Sequence, residues 1–154
     1  MADSDDVVSV ERVIPAPPEK IFNLLADPRR HRTFDGSDSV RDPKGAPERL
    51  SLGAKFDMAM KLGLPYTMTN EVVEFEEGRR IAWQPRPKAR LARNLGGRIW
   101  RYELEPVEGG TRVRESWDIS QEKGMKGLVR KGADHTRQNM EKTLERIEYL
   151  VTSK

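Results

Sequence analysis

Glu115 is the residue whose type and setting could do chemistry. It lies in TRVRESWDI, residues 111–119, where Val113, Trp117 and Ile119 recur at every second position, with Arg112, Arg114, Ser116 and Asp118 between them. Alternation of this kind places one set on the buried face of a strand, so Glu115 points toward the core. A lone carboxyl there is costly unless partnered and holds its proton more tightly than in water. It would serve as a hydrogen-bonding group for a ligand or as a general acid/base. The plainer alternatives are an Arg partner on a neighbouring strand, or a bulge that turns the side chain outward.

Other residue types could build a pocket around it. Trp83, Trp100, Tyr102 and Trp117 supply large rings, either as a wall for an aromatic guest or as ordinary core. They are not all expected on one side of the sheet. Phe56, Met58 and Met60 alternate with Lys55, Asp57 and Ala59, and Met68 and Met140 add further pliable apolar surface. Tyr66 and Asn70 share a face with Met68. That set is the favoured inward one, although adjacent Val72 and Val73 prevent alternation from deciding. His31 stands between arginines in an expected surface turn, and His135 falls off the apolar stripe of its helix, so neither is a leading proton shuttle. Arg86, Lys88, Arg90, Arg93, Arg98 and Arg101 form a basic cluster, read first as a solvated loop and second as an anion, carrier-domain or RNA contact.

Elements must hold these groups. Val7 to Ile14 is β-branched and halted by PAPP at 15–18, giving a first strand. Ile21, Phe22, Leu24 and Leu25 mark a short helix that Asp27-Pro28 ends, with one more helical turn over Arg29–Phe34. Residues 36–47 have loop chemistry, with a short strand near Val40. Strands then follow at Lys55–Met60, Tyr66–Phe75, Arg79–Gln84 and Arg98–Pro106, with a hairpin turn at Glu108-Gly109-Gly110. Val129, Ala133, Met140, Leu144, Ile147 and Val151 recur every three or four residues, predicting one long amphipathic helix over Met125–Val151. Gly124, Gly127 and Gly132 sit within or before it, opening room at a pocket mouth or loosening the helix start. Strands followed by a terminal helix read as α+β, helices packed on one face of a curved antiparallel sheet. A hollow between sheet and helix is the expected home of a ligand.

Composition bounds the rest. The chain of 154 residues is the size of one domain, expected over 7–152 behind an acidic leader, 1–6. Charged residues make up 34% of the chain and the net charge is only +3. That is more charge than the globular norm of about 25%. With no cysteine and two histidines, thiolate chemistry is excluded and neither a metal site nor a cofactor is expected. The sequence holds no nucleophile elbow and no phosphate-cradling Gly-rich loop. The acidic start lacks signal-peptide character and no apolar run approaches a membrane span, so a cytoplasmic location is expected.

VERVIPAPPEKIF at 10–22, LADP at 25–28, NEVVEF at 70–75, RRIAW at 79–83 and GTRVRESW at 110–117 together resemble the SRPBCC superfamily, the START-like or helix-grip proteins. The likeness is nearest to the polyketide cyclase/dehydrase and lipid-transport group and runs over about Val7 to Leu150. It implies a helix-grip fold: a curved antiparallel sheet around a long C-terminal helix, with two short helices after the first strand. It leaves activity open, since such relatives include cyclases, ligand carriers, oxygenase domains and co-chaperone-like modules. The leading expectation is a binder of a small hydrophobic or aromatic molecule. Alternatives are a cofactor-independent cyclase or dehydratase using Glu115 with Tyr66 or Asn70, or a regulatory module acting through the basic loop. Nucleic acid is not an expected partner, and the chain is expected as a monomer or homodimer.

Overall fold

The structure is a computed structural model and describes residues 6–87, 96–122 and 126–153. Seven strands form one antiparallel sheet: β1 (Val7–Ile14), β2 (Val40–Lys44), β3 (Lys55–Leu62), β4 (Leu64–Glu76), β5 (Arg80–Pro87), β6 (Ile99–Val107) and β7 (Gly110–Asp118). Their order across the sheet is β1-β7-β6-β5-β4-β3-β2. Consecutive strands from β2 to β7 are neighbours, while the first strand crosses over to pair with the last. Gly63, Gly78 and Gly109 take positive φ at three of the turns, where a side chain would be strained.

Helix α1 (Pro18–Leu25) begins on a proline, whose missing N–H costs nothing in a first turn. It buries Ile21, Phe22, Leu24 and Leu25 against the sheet. The Asp27 side chain accepts a hydrogen bond from the Arg29 N–H at 3.0 Å and starts a 3₁₀ turn, Pro28–Arg30, that leads into α2 (His31–Phe34). These are the two short helical pieces expected after the first strand.

The terminal rod is shorter than its periodicity predicts. A five-residue helix, α3 (Lys126–Arg130), is followed by a break, and α4 runs over Ala133–Thr152. Gly132 caps α4 with near-zero ψ. Glycine here interrupts a rod that apolar spacing alone would have continued, because it is a poor helix former. Helix α3 buries no residue, whereas α4 buries Met140, Thr143, Leu144, Ile147 and Val151. Gly124 and Met125, expected at the start of the rod, lie outside the described residues.

One connection clamps α4 in place. The Gly36 N–H donates to the Thr143 hydroxyl at 2.9 Å, and a Cβ on Gly36 would collide with the Asn139 carbonyl oxygen. Only glycine allows the loop this close. Arg146 donates to the Asp35 carbonyl and, at 2.8 Å, to the Asp38 carboxylate. At the other end, Asp6 pairs with Lys126 at 2.8 Å and with Arg130 at 2.5 Å. Of the expected leader, residues 1–5 lie outside the described residues. No helix among the described residues is long and apolar enough to cross a membrane.

Candidate ligand site on the inner face of the sheet

Side chains directly opposite one another in an antiparallel ladder share a face. Trp83 is opposite Trp100, Trp100 is opposite Trp117, and Tyr102 is opposite Glu115. Tyr102 is also two residues from Trp100, so all four rings and Glu115 project from one face, toward α4. The expectation that the rings divide between faces is therefore corrected. Residue parity changes from β5 to β6 (Trp83 to Trp100), and register, unreadable from one strand, decides the face. Trp83 lies 5.5 Å from Tyr102 between ring centroids, and Trp100 lies 6.4 Å from Trp117.

The same ladder orders the far half of the sheet. Phe56 is opposite Asn70, Met58 opposite Met68, Met60 opposite Tyr66, and Val72 opposite Trp83. Tyr66, Met68 and Asn70 thus stand on the inner face. A register shift between Val72 and Glu74 marks a bulge at Val73. The bulge resets the alternation. Phe75 is thereby brought inward to an edge-on contact with Phe22 at 5.4 Å.

Burial is graded along this face. Phe56, Met58, Asn70, Trp83, Tyr102, Glu115, Trp117 and, from α4, Met140 are buried. Met60, Met68 and Trp100 are half-buried and Tyr66 is 41% exposed. The face is therefore closed by packing at Glu115 and opens toward Trp100, Met68 and Tyr66. Two grooves of about 340 and 410 Å³ lie elsewhere, one between β1 and α4 and one on the outer face; none of these inner residues lines either.

Glu115 is 2% exposed. Its cross-strand neighbours are Val10 and Tyr102, so neither the expected Arg partner nor an outward-turning bulge is what the structure holds. The Tyr102 hydroxyl donates to Glu115 Oε2 at 3.0 Å. Among the described residues Glu115 Oε1 has no partner, and neither has the indole Nε1 of Trp117, two residues along the same face. Burial raises the Glu115 carboxyl well above its ordinary range, the Tyr102 hydrogen bond opposes this, and the charge of Asp35 adds to it. Burial also pushes the Tyr102 phenol up, helped by the Glu115 charge. Both shifts favour the protonated acid and the protonated phenol. Buried polar atoms in folded proteins nearly always have partners, and Glu115 Oε1 and Trp117 Nε1 are two exceptions on successive inner positions of β7.

His31 corrects the expectation of a surface turn. It is 5% exposed. Its ring stacks on Trp83 at 4.6 Å and meets the Phe34 and Phe56 rings at 5.3 and 6.0 Å. Its Nε2 lies 2.8 Å from the Leu25 carbonyl oxygen. That oxygen can only accept, so Nε2 carries the hydrogen. Burial depresses its pKa to about 4, leaving a neutral imidazole in the aromatic cluster. The flanking arginines hid it; the buried Phe34, three residues on at helical spacing, was the available signal. His135 is exposed.

Two members of the basic cluster are neutralised. Arg101 binds Glu74 at 2.7 Å on the outer face, and Arg98 pairs with Glu122 at 3.3 Å. Arg86 donates to the Gln84 side chain at 3.5 Å. Lys88, Arg90 and Arg93 lie outside the described residues. Among the described residues no three His, Asp or Glu side chains gather as metal ligands.

The fold has known counterparts. An uncharacterized protein of Mycobacterium tuberculosis strain H37Rv is 39% identical over 107 residues, a segment spanning 68% of this chain and 44% of that protein. The chain thus matches less than half the length of this curated relative. Among solved structures, a Nitrosomonas europaea protein superposes with a TM-score of 0.74 at 18% identity, covering 97% of this chain and 96% of that one. The Aha1 dimer from Colwellia psychrerythraea gives 0.67 at 16% identity over 96% of each chain. DynU16, from the dynemicin biosynthetic locus, gives 0.68 at 18% identity over 98% of this chain and 49% of that one. These structures share the fold. Residues 6–151 match the polyketide cyclase/dehydrase and lipid transport family, and the chain belongs to that family.

Proposed function

We propose that the chain binds a small, predominantly apolar molecule between the inner face of the sheet and α4. The observation that carries this reading is the pair of buried atoms without partners among the described residues, Glu115 Oε1 and Trp117 Nε1, inside an aromatic wall. Each such group costs about 1–3 kcal/mol when empty, and a guest with matching polar atoms would remove that cost. The graded burial supports a way in past Trp100, Met68 and Tyr66. The unburied α3 and the break at Gly132 stand where the rod can give way. Phe56, Met58, Met60, Asn70, Trp83, Tyr102 and Met140 would complete the wall.

All three tryptophans of the chain stand on this face, so indole emission reports on it directly. Titration with a panel of polycyclic aromatics and single-chain lipids, read by emission and by thermal shift, tests the reading. Saturable quenching with a raised Tm supports it; no response from any compound removes it.

A second reading, an enzyme of the cyclase or dehydratase kind, is favoured by one observation. Burial favours the protonated form of Glu115, and among the described residues no cation pairs with it, which suits it to donate a proton to a bound carbonyl oxygen. Tyr102 holds its carboxyl in place. Unchanged turnover of a reactive poly-β-ketone substrate by Glu115→Gln would end this version.

A further inference from the structure

The hydrogens on the two orphaned atoms say more about the guest. The Tyr102 hydroxyl donates to Oε2 of Glu115, so when the carboxyl is protonated with this bond in place its hydrogen stands on Oε1. An indole N–H can only donate. The inner face of β7 therefore presents two donors, Oε1–H and Nε1–H, with no acceptor for either among the described residues. Their backbone positions are two residues apart on one strand, about 7 Å, a span from which both side chains can converge on one small group. Among the described residues, no Lys or Arg charge acts on Glu115. Arg12, which shares the inner parity of β1 through its pairing with Val113, is taken by Glu148 of α4 at 3.1 Å. Asp35 adds negative charge in range of Glu115, Tyr102 and Tyr66, while Arg98 adds positive charge in range of Tyr66 alone.

We infer that the site recognises a neutral oxygen acceptor, such as a ring carbonyl on an apolar skeleton, between the Glu115 carboxyl and the Trp117 indole N–H, and turns away ionised carboxylates. This rests on the reading that the inner face binds a small apolar molecule. A ketone oxygen satisfies both donors without changing any charge. A carboxylate would enter a buried space that already feels Asp35, and the described cation that acts at its mouth on Tyr66, Arg98, is already paired with Glu122. Within the family, this sets the chain on the side of neutral oxygenated ring compounds and against free fatty acids. Trp117 becomes the residue that reads the oxygen, and Glu115 the one that makes its charge state matter.

Four probes on one ring skeleton test this at pH 7: fluorene, 9-fluorenone, 9-fluorenecarboxylate and protonated 9-aminofluorene, with Kd read by calorimetry. The ketone is expected to bind about ten- to a hundredfold tighter than fluorene, one or two hydrogen bonds' worth. The carboxylate is expected to bind more weakly than fluorene. Trp117→Phe should cut the ketone's advantage about tenfold. Glu115→Leu, which removes the second donor, should also reduce the advantage. The comparison of fluorene with fluorenone on the unaltered protein stands even where a variant fails to fold. Equal affinity for fluorene and fluorenone overturns the inference and leaves the binding site standing. Tightest binding by the ammonium overturns it too, in favour of an ionised Glu115. No binding by any probe removes inference and site together.

Discussion

The two faces of the sheet treat charge in opposite ways. On the outer face carboxylates meet guanidiniums: Glu74 with Arg101 at 2.7 Å, Glu103 with Arg80 at 3.0 Å, Glu105 with Arg112 at 3.4 Å, Glu11 with Arg114 at 3.5 Å. These pairs are partly exposed, and each is worth about 0–1 kcal/mol. The inner face buries the Glu115 carboxyl, meets it with a phenol, and leaves an oxygen without a partner among the described residues. Matching charge in water is cheap and explains little. A single unmatched acid in a packed interior is expensive, and that asymmetry turns attention from the many arginines to Glu115.

Four perturbations sharpen the contrast. The largest effect belongs to the packing that closes the inner face. Ile147 is fully buried on α4. Ile147→Ala should cost about 2–5 kcal/mol, read by denaturant unfolding. Next comes His31. Its folded pKa, about 4, lies below the ordinary 6.5, so the unfolded chain binds the proton more tightly. Its contribution is complete above the ordinary value of 6.5 and is lost as pH falls toward 4. In all this amounts to about 3 kcal/mol for a fully buried group. A His31→Gln variant should show a flatter acid limb.

Glu115 tilts the curve the other way. Its folded pKa is raised, so its contribution is complete below its ordinary 4.5 and is lost as pH climbs toward the raised value. Glu115→Gln should remove that decline. Replacing both partners, Glu115→Leu with Tyr102→Phe, should leave the empty protein as stable as the parent or more so, by about 1–3 kcal/mol at neutral pH, because no orphan remains in the pair. Glu115→Leu alone strands the Tyr102 hydroxyl and should do worse than the pair. The smallest effect is expected outside: Arg80→Ala should cost less than about 1 kcal/mol, and less still in high salt. An outer-face change that matched Ile147→Ala would break the contrast.

Local pattern made some of this legible and left the rest hidden. Alternation through Val113, Glu115, Trp117 and Ile119 put the acid inside correctly, since β7 runs without a bulge between β1 and β6. It failed to relate Trp83 to Trp100, because the face shared by two strands depends on their register. The adjacent Val72 and Val73 looked ambiguous and are the bulge itself. Apolar spacing predicted α4 but extended it through Gly132, where backbone preference overrode the stripe. His31 reads as surface between Arg30 and Arg32; on a helical turn those neighbours face elsewhere, and the ring reaches Trp83 on a distant strand. The expected hollow was a statement about shape, which residue types do not specify: the structure shows close packing at Glu115 and half-covered side chains at Tyr66, Met68 and Trp100.

If the inner face of β7 holds donors waiting for a guest's oxygen, the indole N–H of Trp117 must feel that oxygen arrive. The most direct measurement is its resonance in protein carrying ¹⁵N-labelled tryptophan, followed as 9-fluorenone is added at pH 7. Trp117 is expected to shift downfield and become slower to exchange with water, more than Trp83 or Trp100. A Trp117 resonance that stays in place while the ketone saturates the protein would contradict the assignment of that N–H to the guest.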